Sequence, residues 1–214
     1  MQKLVAAPLL TLDHIAVAAA SLAEGLAHVQ AALGVAMPAG GKHREMGTHN
    51  HVLRLGDGLF LEVIAIDPEA GPPGRTRWFG LDRFGAAPPR LATWIARTGD
   101  LDRALAAAPS ASGPAVQVSR GGLSWHISVP EDGSMPFDGA YPTLIEWPPG
   151  PHPATRMPDL GCSLERLDIE HPEAEAIRGY LYPAFDDSRV VIETGAQVRL
   201  TARIATPHGV RTLA

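Results

Sequence analysis

Cysteine is almost missing from this chain: Cys162 is the only one in 214 residues. A single thiol excludes an intramolecular disulfide and a thiolate metal cluster, and it fits a reducing compartment. Long apolar runs are missing too, since no stretch approaches the roughly 18 residues of a membrane span. The N-terminal MQKLVAAPLLTLDH is apolar, but Pro8 interrupts it and Asp13 closes it, which argues against a signal peptide. The expected location is the cytoplasm. Basic excess is absent as well. Eighteen Lys and Arg against 23 Asp and Glu leave a net charge of -5, too acidic for a field that would hold nucleic acid or an anionic membrane. No Gly-rich phosphate loop, Gly-x-Ser-x-Gly elbow or Cys-His pair occurs, so serine-type covalent catalysis has no support.

What is present is a long enough chain of ordinary globular composition to build a core without staples, 45% hydrophobic and 19% charged. TLDHIAVA, residues 11–18, has the pattern of a strand. Ser21 then opens a helix, with Glu24 completing a capping box, Leu22, Leu26, Val29 and Leu33 along one face, and Gly34 at its end. A Gly-rich turn at 39–41 precedes the strand signals of HREMGTHNHVLRL, and Gly56-Asp57-Gly58 forms a hairpin into LFLEVIAI. These elements make one β-α-β-β-β unit over 9–66. Residues 67–89 are rich in Pro and Gly without a sustained period and read as a connecting loop.

The pattern then restarts over 90–149. LATWIA is a strand, Asp100 caps the helix LDRALAAA, and AVQVSR, LSWHISV and YPTLIEWP are strands. Leu12 and Leu91 correspond at a spacing of 79, His51 and His126 at 75, and Glu62 and Glu146 at 84. The chain contains an internal duplication. A third, partial echo spans 160–214, with LERLDIE as strand, a helix from Pro172, and three further strands, and it has no matching glutamate.

Glutamates in apolar strands need a partner, because a desolvated carboxylate costs several kcal/mol unless paired, protonated or bound to a cation. Glu62, within LFLEVIAI, and Glu146, within TLIEWP, are such residues. For Glu62 the alternative to a metal is an ion pair with Arg54 or Arg44. Glu146, beside Trp147 and Pro148, could instead be solvated. His14 could equally be satisfied by a simple hydrogen bond. His49 and His51 alternate to one face of their strand, and imidazoles there suit proton transfer near neutral pH. Trp78 and Phe79, flanked by Arg75 and Arg77, would either pack the units together or wall an organic anion.

The element order together with LDHIAVA, THNHVLRLGDGLFLEVIAIDP and RWFGLDR leading into LATWIA resembles the vicinal oxygen chelate superfamily, in its glyoxalase-like branch, over about two thirds of the chain. The resemblance implies an α+β fold: paired β-α-β-β-β modules whose curved mixed sheets form a cleft, here with a third partial module packed alongside. It places metal ligands at His14, Glu62 and Glu146, with the fourth position near Thr93, a poor ligand. His49, His51 or His126 would act in proton transfer or fill the vacancy. Oxygen and imidazole donors without thiolates suit Zn, Mn, Ni, Fe(II) or Mg. The implied function is a metal-dependent enzyme acting on a small oxygen-rich organic molecule, of lyase, isomerase or dioxygenase class. Two alternatives remain: a metal-free protein that binds or sequesters a small molecule, and an assembly role in which the third module pairs two copies into a homodimer.

Overall fold

In the computed structural model, residues 9–182 and 184–214 are described. Most of the N-terminal stretch weighed above as a signal peptide, residues 1–8, therefore lies outside them. The described chain has twelve strands and three α-helices in two sheets.

The first repeat comprises β1 (Thr11–Ala18), α1 (Leu22–Leu33), β2 (Ala39–His43), β3 (Thr48–Gly56) and β4 (Leu59–Ile66). The second comprises β5 (Arg90–Arg97), α2 (Leu101–Ala107), β6 (Ala115–Arg120), β7 (Leu123–Ser128) and β8 (Thr143–Glu146). They join through an antiparallel β1–β5 pair into one eight-stranded sheet, ordered β2-β3-β4-β1-β5-β8-β7-β6. Within each repeat the first strand lies parallel to the last. The sheet curves until its two edges almost meet: Arg120 at the end of β6 donates from Nη1 to Asn50 Oδ1 on β3 at 3.0 Å, and Ser119 Oγ lies 2.5 Å from Glu45. A nearly closed sheet with a cleft on its concave side results.

The caps follow the sequence. Ser21 Oγ accepts from Glu24 N, Asp100 Oδ1 accepts from Arg103 N, and Gly34 ends α1 in the left-handed region at φ 72°. The Gly-rich turn expected at 39–41 is instead the edge strand β2, paired with β3 through Ala39–His51 and Lys42–His49. Its Ala-Gly-Gly run carries no side-chain period, so only the backbone ladder reveals it. Glycine is required at position 40, where a Cβ would lie 2.1 Å from Asn50 Oδ1.

The convex face buries Ile15, Val17, Leu61, Val63 and Trp94 against α1, α2 and the C-terminal unit. That unit runs β9 (Ser163–His171), α3 (Ala174–Leu181), β10 (Val190–Thr194), β11 (Arg199–Thr206) and β12 (Gly209–Leu213), in a sheet ordered β10-β9-β11-β12. It repeats the β-α-β-β-β order but not the pairing: α3 joins neighbouring parallel strands, whereas α1 and α2 carry the chain to the far edge of their own four-stranded units. Its helix begins two residues after Pro172, a difference within the ordinary fraying of helix ends. The concave face holds a second core of Ile64, Ile95, Ile127 and Ile145, closed by Trp78, Phe79, Leu81 and Phe84 from the connecting loop.

Helix α1 packs tightly on β4 at Gly25, where an added Cβ would stand 2.5 Å from Val63 Cγ1. Alanine normally favours a helix over glycine by about 1 kcal/mol. Overpacking of about 1–3 kcal/mol outweighs that gain here. Gly25→Ala is therefore expected to lower the urea midpoint at unchanged slope; a variant at least as stable as wild type would refute the contact.

Candidate functional site

The cleft's polar groups are set on the first repeat by strand phase. On β4, Phe60 and Glu62 face the cleft while Leu61 and Val63 join the convex core. On β3 the same alternation turns Asn50 inward. On β1 a bulge between Leu12 and His14 resets the phase, so Leu12 packs into the convex core and not beside His14. The bulge leaves Asp13 with no exposed surface.

Asp13 is the best-connected buried group of the site. Its Oδ1 lies 2.6 Å from His14 Nδ1, and its Oδ2 receives Trp147 Nε1 and His152 Nε2, both at 2.9 Å, with Arg97 Nη1 at 3.6 Å. Burial pushes the carboxyl pKa up, but hydrogen bonds and charge from His14 and His152 more than reverse this and hold it well below the usual carboxylate range. An ionised carboxylate only accepts, so His14 Nδ1 is the protonated nitrogen and its Nε2 is directed toward Glu62. Nε2 and Glu62 Oε2 stand 3.7 Å apart, beyond a direct hydrogen bond. The imidazole stacks on Phe60 with centroids 4.3 Å apart.

Glu62 is not paired with Arg54 or Arg44. Asn50 Nδ2 donates to its Oε1 at 2.5 Å, and Asn50 Oδ1 accepts from Gly41 N and Arg120 Nη1. Arg54 pairs with Asp57 and Asp159 instead. The remaining wall is aromatic: Trp78 and Phe79 from the loop, Trp125 on β7, and Trp147 after β8. About 360 Å³ of empty space lies among these side chains, part of it open to solvent and the rest in narrow gaps. The loop aromatics thus pack the units and wall the cleft at once. The Trp78 indole N–H is buried without a partner among the described residues. The flanking Arg77 is neutralised by Asp82 at 2.6 Å.

Several residues singled out from the sequence lie elsewhere. Glu146 does not face the cleft: Ile145 does, so the neighbouring side chain turns the other way, and Glu146 Oε2 caps α2 by accepting from Leu101 N at 2.8 Å. The register explains this. Ala16 pairs with Glu62, and 79 residues on Ile95 pairs with Thr143, so Thr143 occupies the counterpart of Glu62. His14 and Glu62 therefore correspond to Thr93 and Thr143, and the spacing of 84 matched the wrong phase of the strand. His49 and His51 sit on the face of β3 opposite Asn50; His51 Nδ1 contacts Met37 O at 3.0 Å and His49 lies 4.0 Å from Asp67. His126 is exposed.

Besides His14, the histidine that enters the cleft is His43, on the glycine-rich β2, with Nδ1 3.1 Å from Thr48 Oγ1 and its ring edge-on to Trp78 and Trp125. No amphipathic pattern surrounds it, so only its phase after Gly40 and Gly41 could have flagged it.

A divalent ion does not fit this donor set as a three- or four-ligand centre. Among the described residues no cluster of three His, Cys, Asp or Glu side chains is arranged to hold one. His14 and Glu62 stand on one wall, and the second repeat presents Trp125, Ile127, Ile145 and Trp147.

Residues 12–184 match the family model of the glyoxalase-like domain. The chain belongs to that family, within the vicinal oxygen chelate superfamily. No curated protein matches it. Among solved structures, a hypothetical protein from Staphylococcus aureus aligns at TM-score 0.61 and 13% identity, covering 89% of this chain and 88% of that one. A 4-hydroxymandelate synthase mutant from Streptomyces coelicolor aligns at 0.53 and 18%, with this chain covered to 96% and spanning 62% of that chain. Methylmalonyl-CoA epimerase from Mycobacterium tuberculosis aligns at 0.44 and 20%, covering 72% of this chain and 97% of that one. At these identities the first two likenesses are of fold alone. Among the described residues no helix is long and apolar enough to cross a membrane.

Burial, and secondarily the charge of Arg120, lowers the His43 pKa from 6.5 to about 3. The folded protein then keeps His43 neutral while the unfolded chain binds a proton below about 6.5. Its contribution to stability is complete above that value and is lost as pH falls toward 3, with a slope approaching about 1.4 kcal/mol per pH unit. Urea titrations between pH 7 and 4 should show this slope, and His43→Gln should flatten it. An unchanged slope in the variant would remove His43 as its source.

Proposed function

We propose that the cleft carries out acid–base chemistry on a small oxygen-bearing organic molecule, as an enzyme of isomerase or lyase type. The observation that carries this reading is the orientation of His14. Asp13, ionised and fully buried, fixes the Nδ1–H tautomer and leaves the Nε2 lone pair beside Glu62. A substrate C–H or O–H group entering between them meets two proton acceptors held on rigid strands. Nε2 takes the proton, and the resulting imidazolium is stabilised by Asp13. The imidazolium then gives that proton back, to a neighbouring carbon or oxygen in an isomerisation or to the leaving group in an elimination, while Glu62, fixed through Asn50, accepts at Oε2 any proton the substrate releases on its own side. Arg120, on the other side of Asn50, supplies positive charge where an enolate or similar oxyanion develops.

The two-donor set gives no step routed through Zn, Mn, Ni, Fe or Mg, and a dioxygenase reaction has less support than proton transfer. The aromatic wall favours a second reading, in which the protein binds a small molecule without converting it. Both share the cleft and differ in whether His14 and Glu62 change the ligand.

The test is solvent-deuterium exchange, followed by proton NMR, at the C–H positions next to the carbonyl or hydroxyl of a panel of 2-oxo and 2-hydroxy acids. Protein purified without a metal-affinity tag and dialysed against chelator is expected to catalyse exchange. His14→Asn and Glu62→Gln are each expected to reduce it by about 100-fold or more. Exchange that is lost on chelation and restored by one equivalent of metal would overturn the metal-independent reading. Binding without exchange would favour the second reading.

A further inference from the structure

We infer that the groove outside the cleft is an anion-binding vestibule, and that the molecule this protein takes carries a carboxylate or phosphate held there while its other end enters between His14 and Glu62. The inference rests on the cleft being the ligand site and adds the ligand's chemical class.

The groove encloses about 1180 Å³, part of it open to solvent, and is lined by β2, the β6–β7 turn and the connector around 151–157. Four cations line it, Lys42, Arg44, Arg120 and Arg156, and no carboxylate does. On a chain of net charge -5 that is a local reversal of sign. Lys42 is already engaged by Asp67 at 3.0 Å and Glu69 at 2.5 Å. The three guanidinium groups have no salt-bridge partner among the described residues; Glu45, whose carboxylate feels the charge of Arg44, is hydrogen-bonded to Ser119. Guanidinium forks match carboxylate and phosphate oxygens in a paired geometry, and a groove open to water keeps the cost of stripping the anion low.

Arg120 is the hinge of the argument because it lines both the groove and the inner cleft. One nitrogen, Nη1, is committed to Asn50 Oδ1 at 3.0 Å, which fixes the side chain across the narrowest part of the sheet closure. Gly41 permits this path, since a Cβ there would stand 2.7 Å from Arg120 Cδ. The same Asn50 holds Glu62. An anion seated against Arg44, Arg156 and the free edge of Arg120 is therefore one side chain away from the carboxylate that faces His14. The inner cleft, walled by aromatics and narrow, suits only the small end of the molecule.

The test uses phenylacetate and phenyl phosphate as anionic probes and phenylacetamide as the neutral counterpart, titrated against intrinsic tryptophan fluorescence, since Trp78, Trp125 and Trp147 line the cleft. The anions are expected to bind about tenfold or more tightly than the amide. That advantage is expected to shrink in 0.5 M salt (about a 4 Å screening length). It is also expected to fall about tenfold in Arg44→Gln and in Arg156→Gln, both exposed positions, but not in Arg211→Gln, an exposed cation on β12. Equal binding of phenylacetate and phenylacetamide, or equal loss in Arg211→Gln, would overturn the vestibule. Solvent-deuterium exchange is read alongside the titrations: an anion preference without exchange would overturn only the proton-transfer reading, and exchange without an anion preference would overturn only the vestibule.

Discussion

A carboxylate with no solvent contact lies at a bulge in the central strand of the sheet, and the arrangement of the cleft depends on keeping it charged. Removing Asp13 from water would ordinarily neutralise it. Hydrogen bonds and charge from His14 and His152 reverse that tendency, and Trp147 donates to the same carboxylate. His152 and Trp147 come from the segment after β8, so their bonds to Asp13 also fasten the end of the second repeat to the first strand of the first. His152 is itself constrained, since its Nδ1 accepts from Ala154 N and only Nε2 remains to donate. The tautomer of His14 is thus fixed by a chain of obligatory donors and acceptors that begins outside the cleft. The cost of burying a charge is offset by bonds that also determine which nitrogen of His14 faces Glu62.

Much of the architecture was legible because it obeys periodicities that a single chain displays. The duplication, the capping residues Ser21 and Asp100, the Gly34 stop and most strands all appear where the pattern places them. His14 and Glu62 were visible as polar residues in apolar strands, and the structure brings them together. Glu146 had the same sequence signature and a different fate. A strand has period 2, so a duplication aligned by one residue too few or too many turns a side chain from the cleft to a helix end. Hydropathy could not detect this, because Leu144 and Ile145 are equally apolar and lie on opposite faces. His43 and Asn50 were obscure for another reason: their strands carry polar or glycine residues, and their inward direction follows from sheet closure, a long-range property.

The repeats have diverged in a consistent direction. The first presents His14, His43, Asn50 and Glu62 to the cleft, whereas the second presents Trp125, Ile127, Ile145 and Trp147, with threonines in the register positions of His14 and Glu62. A symmetric cleft would distribute donors on both walls and favour a cation held between them. An asymmetric one divides the cleft into two kinds of wall, since an aromatic wall contributes area and excludes water while a polar wall contributes the hydrogen-bonding and charged groups. Low dielectric on the aromatic side strengthens each charge on the other, which raises both the cost of leaving His14 or Glu62 unpartnered and the effect of either on a bound molecule.

That asymmetry also explains why Arg120 belongs to the second repeat. Among the described residues it is the one charged side chain that the aromatic half extends to the cleft, and it reaches across the sheet closure to Asn50. The closure therefore does more than hold the sheet in a curve: it places a cation from one repeat at the end of the hydrogen-bonded row, Arg120 to Asn50 to Glu62, that belongs to the other. Loosening the closure would remove positive charge from the cleft and free the Glu62 carboxylate to rotate. Curvature of the sheet and the chemistry of the cleft are thus coupled through a single amide side chain, and Gly40 is there because that amide lies over the backbone of β2.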